Sequence, residues 1–286
     1  MKDKTGLIKR MISIPNKPLG LLAGSGRLPV YLAQFAKKRG YYLVVVGPEQ
    51  RLEPGIKPYA DKIFSYKFAR LGEVLRIFER EGIEQAVMAG KIEKRWLYQE
   101  GLELDELGEK LLKKAPNRKD DSLMNLVVEE LEKRGIKIIS ILDLSEEWLA
   151  PVGSFSASQP EEREWKDIEF GFEMAKEIGR LDIGQTVCVH NQAVLSVEAI
   201  EGTDLAILRA GEFSPGAVVV KVWKPNQNLK FDIPVVGRST VEAMIQAKAR
   251  VLAVEAGRCL VVEKDEMMGL ADQKGIALVG VKDGKR

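Results

Sequence analysis

The first half of the chain sets short apolar runs between amphipathic helical ones, and that alternation limits what it can fold into. "LGLLAG" (19–24) and "YLVVVG" (42–47) suit strands buried on both faces of a parallel sheet. Between them "LPVYLAQFAKKRG" has the marks of a helix: Pro29 in its first turn, apolar residues at helical spacing, and Gly40 as its stop. "KIFSY", the helix "LGEVLRIFEREG", the strand "EQAVMAG", the helix "DDSLMNLVVEELEKRG" and the strand "IKIISIL" continue the pattern. The expectation is an α/β protein whose N-terminal domain is an open, mostly parallel, Rossmann-like sheet.

The pattern changes after a stretch from about 145 to 164, "SEEWLAPVGSFSASQPEERE", which has prolines, serines and no periodicity. This composition predicts an interdomain linker. The expected organisation is a first domain at 1–148, a linker at 149–164 and a second domain at 165–286. In the second domain the helix "EWKDIEFGFEMAKEIG" leads into "QTVCVHNQAVLSVEAI", two strands around Asn191-Gln192 that read as a hairpin. "EGTDLAILRAG" gives a short helix, "AVVVKVWK" and "FDIPVVG" read as strands, and helices then alternate with strands to the end. This is a C-terminal mixed α/β domain.

Charge and rare residues narrow the chemistry. The 44 basic and 42 acidic side chains nearly cancel, which argues against a dedicated nucleic-acid binder. Cys188 and Cys259 sit apart in apolar runs and read as buried thiols of a cytosolic protein. No apolar run reaches the length of a membrane span, and the apolar part of the N-terminus is short for a signal peptide. One histidine, His190, rules out a His-based metal cluster and argues against a Ser-His-Asp triad. Reactivity must then rest on carboxylates, basic groups and backbone.

Candidate site residues fall at the ends of the expected elements. Gly24, Ser25 and Gly26 form a glycine loop between a strand and a helix, suited to an anion. Pro29 replaces the third glycine of a dinucleotide fingerprint, which weakens a redox-cofactor reading; a turn without ligand is the plain alternative. Gly90 and Lys91 end another strand at the edge where open α/β sheets bind ligands. Gln185, the Gly202-Thr203-Asp204 cluster, and Gly257 with Arg258 lie at second-domain turns. Each has an ordinary use as cap or turn, yet their recurrence at element ends suggests a shared cleft. Asp232, between Phe231 and Ile233, faces the same side of its expected strand as Lys230. Spacing leaves it either paired with Lys221 or Lys224, or available to bind a metal or orient a water.

In this order, "LGLLAGSGRLP", "EIGRLDIGQ", "SVEAIEGTD", "KPNQNLKFDIPVVG" and "VEAGR" resemble the LpxI-type UDP-2,3-diacylglucosamine pyrophosphatases of lipid A biosynthesis. The resemblance runs from about Leu19 to the C-terminus. It implies a cytoplasmic, Mg²⁺-dependent hydrolase that converts UDP-2,3-diacylglucosamine to UMP and 2,3-diacylglucosamine 1-phosphate (lipid X). The family's essential aspartate lies in a (V/F)DxPxIG motif, which here reads "FDIPVVG" and maps onto Asp232 as catalytic residue and metal ligand. Val236 stands where isoleucine is usual, and Asn228 replaces the acid of a KPxQ(D/E) segment. The resemblance further implies that Lys221, Lys224, Arg258 and the glycine loop meet the pyrophosphate, while Gln185, Thr203 and Asp204 hold the nucleotide-sugar. The expected site is an interdomain cleft with an apolar pocket for the acyl chains. Transient contact with the inner face of the inner membrane and a homodimer are compatible with it. The readings set against it are a nucleotide-binding oxidoreductase and a non-catalytic lipid or nucleotide-sugar carrier.

Overall fold

The computed structural model describes residues 17–49, 52–67, 70–90, 103–114, 120–225, 227–228 and 230–285, without the side chains of 120–122. The chain divides into two compact units, Met1–Ile139 and Ser140–Arg286.

Unit 1 is a parallel sheet with helical connections. Its strands are β1 (Leu19–Ala23), β2 (Leu43–Pro48), β3 (Lys62–Tyr66), β4 (Gln85–Ala89) and β5 (Lys137–Ile139), arranged β3-β2-β1-β4-β5. Every pairing is parallel. β1 and β2 are buried along their whole length, the reason these runs carry no polar alternates. Helix α1 (Leu28–Lys38) buries Leu32, Ala33 and Ala36, and α2 (Leu71–Arg80) buries Val74, Leu75 and Phe78. α3 (Glu106–Lys114) and α4 (Asp120–Lys133) are further helices of the unit. The order reverses between β1 and β4, and the crevice at their carboxyl ends is the topological switch point of such a sheet.

Unit 2 opens with α5 (Ile141–Leu144), whose Ser140 cap accepts from the Leu142 N–H. The stretch 149–164, expected to be a linker, is instead woven into this unit. Its short strand β6 (Gly153–Ser154) pairs with β13 (Ala277–Val281), and Ala150 and Phe155 donate backbone hydrogen bonds to Cys259 and Leu278. Proline and serine mark irregular backbone there, and an edge strand tolerates irregular flanks.

The remaining elements are α6 (Glu162–Arg180), β7 (Thr186–His190), β8 (Ala193–Val197), α7 (Thr203–Phe213), β9 (Val218–Lys221), β10 (Val235–Val236), α8 (Arg238–Gln246), β11 (Val251–Glu255), β12 (Leu260–Val261) and α9 (Lys264–Lys274). A six-stranded mixed sheet runs β6-β13-β11-β9-β7-β8, beside a small parallel pair β10-β12. Ile168, Phe172 and Ala175 of α6 pack with Val187, Val189, Val218 and Val220 in one core. Ile207 and Ala210 of α7, Val241 and Met244 of α8 and Met267 of α9 pack with Cys188, Val219 and Leu252 in another. The hairpin β7–β8 turns at Asn191 and Gln192, both at positive φ, and the buried Asp167 carboxylate accepts both their N–H groups. A tight turn without glycine is held by that carboxylate.

Candidate active site

At the carboxyl ends of β1 and β4, the backbone of the glycine loop closes on the neighbouring strand. Gly24 donates to the Ala89 carbonyl at 2.7 Å. Gly90 adopts φ +95, and a Cβ there would stand 2.8 Å from the Gly24 carbonyl carbon and from the Ser25 oxygen. Only glycine fits a left-handed backbone pressed this closely against another chain segment. The structure thus brings Gly24, Ser25, Gly26 and Gly90 together, with Gly26 exposed before α1. Lys91 lies outside the described residues. A shallow pocket lined by Lys17, Pro18, Leu19, Glu84 and Gln85 sits at the amino ends of β1 and β4, the opposite edge from the one such sheets use.

Unit 2 gathers charge where β9 and β11 end and β7 begins. Asp232 is not on a strand: the described residues between β9 and β10 belong to no strand and carry two sets of turn hydrogen bonds. In the first, Gln227 donates its N–H to the Lys224 carbonyl, while its side-chain oxygen accepts the Lys224 N–H at 3.0 Å. In the second, Asn228 accepts the Lys230 N–H on its side chain and the Asp232 N–H on its backbone, both at 3.0 Å. An asparagine side chain bonded to the N–H two residues on is an Asx-turn, which aspartate makes equally well. Asn228 therefore builds the turn that aims Asp232, and no acid is needed at this position for that purpose.

The turn brings the Asp232 carboxylate 3.1 Å from the Lys224 ammonium, and the same ammonium lies 3.3 Å from Asp182. All three are partly shielded, with side-chain exposures of 30% for Asp232, 17% for Lys224 and 29% for Asp182. Of the alternatives left open by spacing, the pairing of Asp232 with Lys224 is present, made around a turn rather than across a sheet. Beneath it, the Gln227 amide donates to the Gln185 side chain at 3.1 Å. Gln185 itself is placed by its neighbour: a Cβ on Gly184 would fall 2.0 Å from the Glu198 carbonyl oxygen. The two segments meet only because Gly184 has none.

Lys221 is not an open cation. Its side chain is buried, and its ammonium donates to the Thr203 hydroxyl at 2.6 Å; that hydroxyl donates to the Glu198 carboxylate at 2.9 Å. Burial works to raise the Glu198 pKa, but the Lys221 charge, the Thr186 and Thr203 hydroxyls and the Gln185 N–H hold it below the usual carboxylate value. This buried chain anchors the first turn of α7, where Gly202 caps the helix and Asp204 is exposed.

Arg258 is likewise engaged, 3.2 Å from Glu255. Glu255 is buried at the end of β11 and also accepts from Lys176 of α6 at 2.5 Å and from the Trp223 N–H at 2.9 Å. Gly257, at φ +71, turns the chain towards Arg258 and donates to the Ala150 carbonyl. Asp182, Glu198, Gln227, Lys176 and Glu255 are members of the network that the sequence reading did not single out. Glu198 and Glu255 had a visible signal, an acid ending an apolar run in "SVEAI" and "VLAVEAG".

Two further groups are set aside by their surroundings. Cys188 and Cys259 are free and buried, their thiols pushed up by burial to about 11 and about 12, too high for a nucleophilic thiolate. His190 ends β7, with Nδ1 2.6 Å from the Ser214 hydroxyl.

Among the described residues, no group of three or more His, Cys, Asp or Glu gathers as for a fully protein-held metal. A magnesium ion does not require such a cage, because it takes one or two carboxylates and completes its shell with water and phosphate oxygens. Asp232, a partly exposed hard oxygen donor, fits that chemistry as the one carboxylate. No helix among the described residues is long and apolar enough to cross a membrane.

Comparison with known proteins adds sequence likeness along both units. Residues 18–148 match the family model of the LpxI N-terminal domain, and residues 151–279 that of the LpxI C-terminal domain. The chain is 30% identical over 282 residues to the UDP-2,3-diacylglucosamine pyrophosphatase LpxI of Caulobacter vibrioides, covering 94% of this chain and 99% of that one. Solved structures are distant. Phosphoribosylglycinamide synthetase from Anaerococcus prevotii aligns at 12% identity and TM-score 0.28, over 63% of this chain and 38% of its own. A UDP-N-acetylmuramate:L-alanyl-gamma-D-glutamyl-meso-diaminopimelate ligase from Neisseria meningitides aligns at 9% identity and TM-score 0.28, over 92% and 77%.

Proposed function

The chain belongs to the LpxI family, and from that premise we propose that it hydrolyses the pyrophosphate of UDP-2,3-diacylglucosamine to UMP and 2,3-diacylglucosamine 1-phosphate. The observation that carries the reading is the Asp232–Lys224–Asp182 cluster at the carboxyl edge of the unit 2 sheet, which includes the aspartate of the family motif. A pyrophosphate is a dense anion, and the reaction adds a water oxygen to one phosphorus while the bridging P–O bond breaks. Such a transfer depends on positioning and on neutralising charge around the phosphoryl oxygens.

Asp232 accepts a proton or a cation at Oδ2, and Lys224 offers its ammonium to a phosphate oxygen. Lys224 is held in place by its backbone bond to Gln227 and its ion pair with Asp182. In this reading Gln185 and the first turn of α7, with Thr203 fixed by Lys221 and Glu198, orient the nucleotide-sugar. Lys221 acts through Thr203, since it is buried beneath that turn. Arg258, fixed on Glu255, supplies a second cation at the same edge. Asp232 would hold Mg²⁺, which would supply charge neutralisation to the phosphates. In this reading the enzyme is cytoplasmic and meets its lipid substrate at the inner face of the membrane.

Purified protein incubated with UDP-2,3-diacylglucosamine and Mg²⁺ tests this directly. Release of UMP and the diacylated sugar phosphate, abolished by chelator and restored by added Mg²⁺, is the expected result. Binding of the lipid without turnover under any metal condition would turn the reading into that of a carrier.

A further inference from the structure

Asp182 occupies a place where glycine is the ordinary residue. The Ile183 N–H bonds back to the Ile178 carbonyl at 3.0 Å and the Asp182 N–H to the Gly179 carbonyl at 3.1 Å. This is the pair of bonds that closes a helix through a left-handed residue, and Asp182 is that residue, at φ 59. Aspartate tolerates this backbone better than most residues but less well than glycine. Its side chain is put to use, because its carboxylate lies 3.3 Å from the Lys224 ammonium that Asp232 also holds. Two carboxylates from different segments, one ending α6 and one following β9, thus share one cation. The aliphatic stem of Lys224 lies over Gly179 in the last turn of α6, so the lysine is seated on the same helix end that presents Asp182.

Sharing has a consequence for any cation that binds Asp232. An ammonium held by Asp232 competes with that cation for the carboxylate. With Asp182 alongside, the ammonium can be released by Asp232 and stay at the site, still pointing at the phosphates. We propose that Asp182 is a positioning residue that retains Lys224 when Asp232 takes up Mg²⁺, so that the carboxylate and the ammonium act at the same time. This deepens the hydrolase reading and rests on it for the role of the phosphates.

The test compares Asp182→Gly, Lys224→Met and the double variant with the parent protein, by Mg²⁺ calorimetry without substrate and by the Mg²⁺ dependence of hydrolysis. Asp182→Gly removes the left-handed strain, so its thermal midpoint should stay level or rise. Its Mg²⁺ affinity should nevertheless fall about tenfold, in the range usual for coupled sites, and its half-saturating Mg²⁺ concentration should rise in parallel. Asp182→Asn should fall between parent and glycine variant. In the Lys224→Met background Asp182→Gly should change Mg²⁺ affinity by less than about twofold, since the effect runs through the lysine. An unchanged Mg²⁺ affinity in Asp182→Gly overturns the proposal. So does the same tenfold loss in both backgrounds, which would make Asp182 a direct ligand, or a fall in midpoint that accounts for the lost binding. A parent protein that binds Mg²⁺ but does not hydrolyse UDP-2,3-diacylglucosamine overturns the functional reading instead, and the Mg²⁺ comparison still decides the role of Asp182.

Discussion

The two units each present a sheet edge where parallel strands end, and the two edges are built from different materials. In unit 1 the edge is backbone: Gly90 comes close against Gly24 and Ser25 because it has no side chain. In unit 2 it is side chain: Asp182, Glu198, Lys221, Lys224, Asp232 and Glu255 are held by ion pairs and hydrogen bonds, three of them buried. An edge made of backbone depends on space and hardly on pH. An edge made of buried charge depends on every partner being present and ionised.

Substitutions that separate these dependences have graded effects. Lys221→Met is expected to be the most damaging to stability, by about 3–5 kcal/mol, because it leaves the Glu198 carboxylate buried without its cation. Urea unfolding measures this, and a loss under about 1 kcal/mol would mean that the Lys221–Thr203–Glu198 chain is not a structural anchor. Gly90→Ala should destabilise unit 1 by about 2–4 kcal/mol, through a strained left-handed backbone and a Cβ pressed against Gly24. A neutral effect there would break the claim that the unit 1 edge is limited by space.

Glu198→Gln sharpens the comparison through pH. The folded-state pKa of Glu198 lies below its unfolded value, so its contribution is present above about pH 4.3 and is lost as pH falls through the depressed folded value. Replacing it should flatten the acid limb of a stability–pH curve, whereas Gly90→Ala should lower that curve without changing its slope. An acid limb of unchanged slope in Glu198→Gln would contradict the assignment. Arg258→Ala, at an exposed ion pair, should cost less than about 1 kcal/mol of stability, and a larger loss would show that Arg258 is part of the frame around Glu255.

The same difference in materials explains what was legible in the sequence. The parallel order of unit 1 follows from apolar runs such as "LGLLAG" and "YLVVVG", and its glycine loop is visible as glycines. The hairpin at Asn191-Gln192 was also legible, though the Asp167 carboxylate that holds it comes from another helix and could not be seen. The stretch "FDIPVVG" misled, because its β-favouring residues follow an Asx-turn at Asn228 and only Val235 and Val236 pair as a strand. Residues 149–164 misled in the other direction: their composition suits a linker, while β6 and the bonds of Ala150 and Phe155 tie them into a sheet. Lys221 and Lys224 looked equivalent, three residues apart. Burial separates them, and burial depends on Thr203 and Glu198 arriving from a distant turn. Asp182 gave no signal, since nothing in "RLDIG" says that the aspartate takes the left-handed place at a helix end.

The central claim is that the charged edge of unit 2, through Asp232, carries out the hydrolysis. Turnover and binding of UDP-2,3-diacylglucosamine by Asp232→Ala, measured side by side with the parent protein in saturating Mg²⁺, test it most directly. The account predicts substrate binding within a few-fold of the parent and turnover slower by at least about a hundredfold, the scale for losing a positioned catalytic group. Turnover within a few-fold of the parent would contradict it.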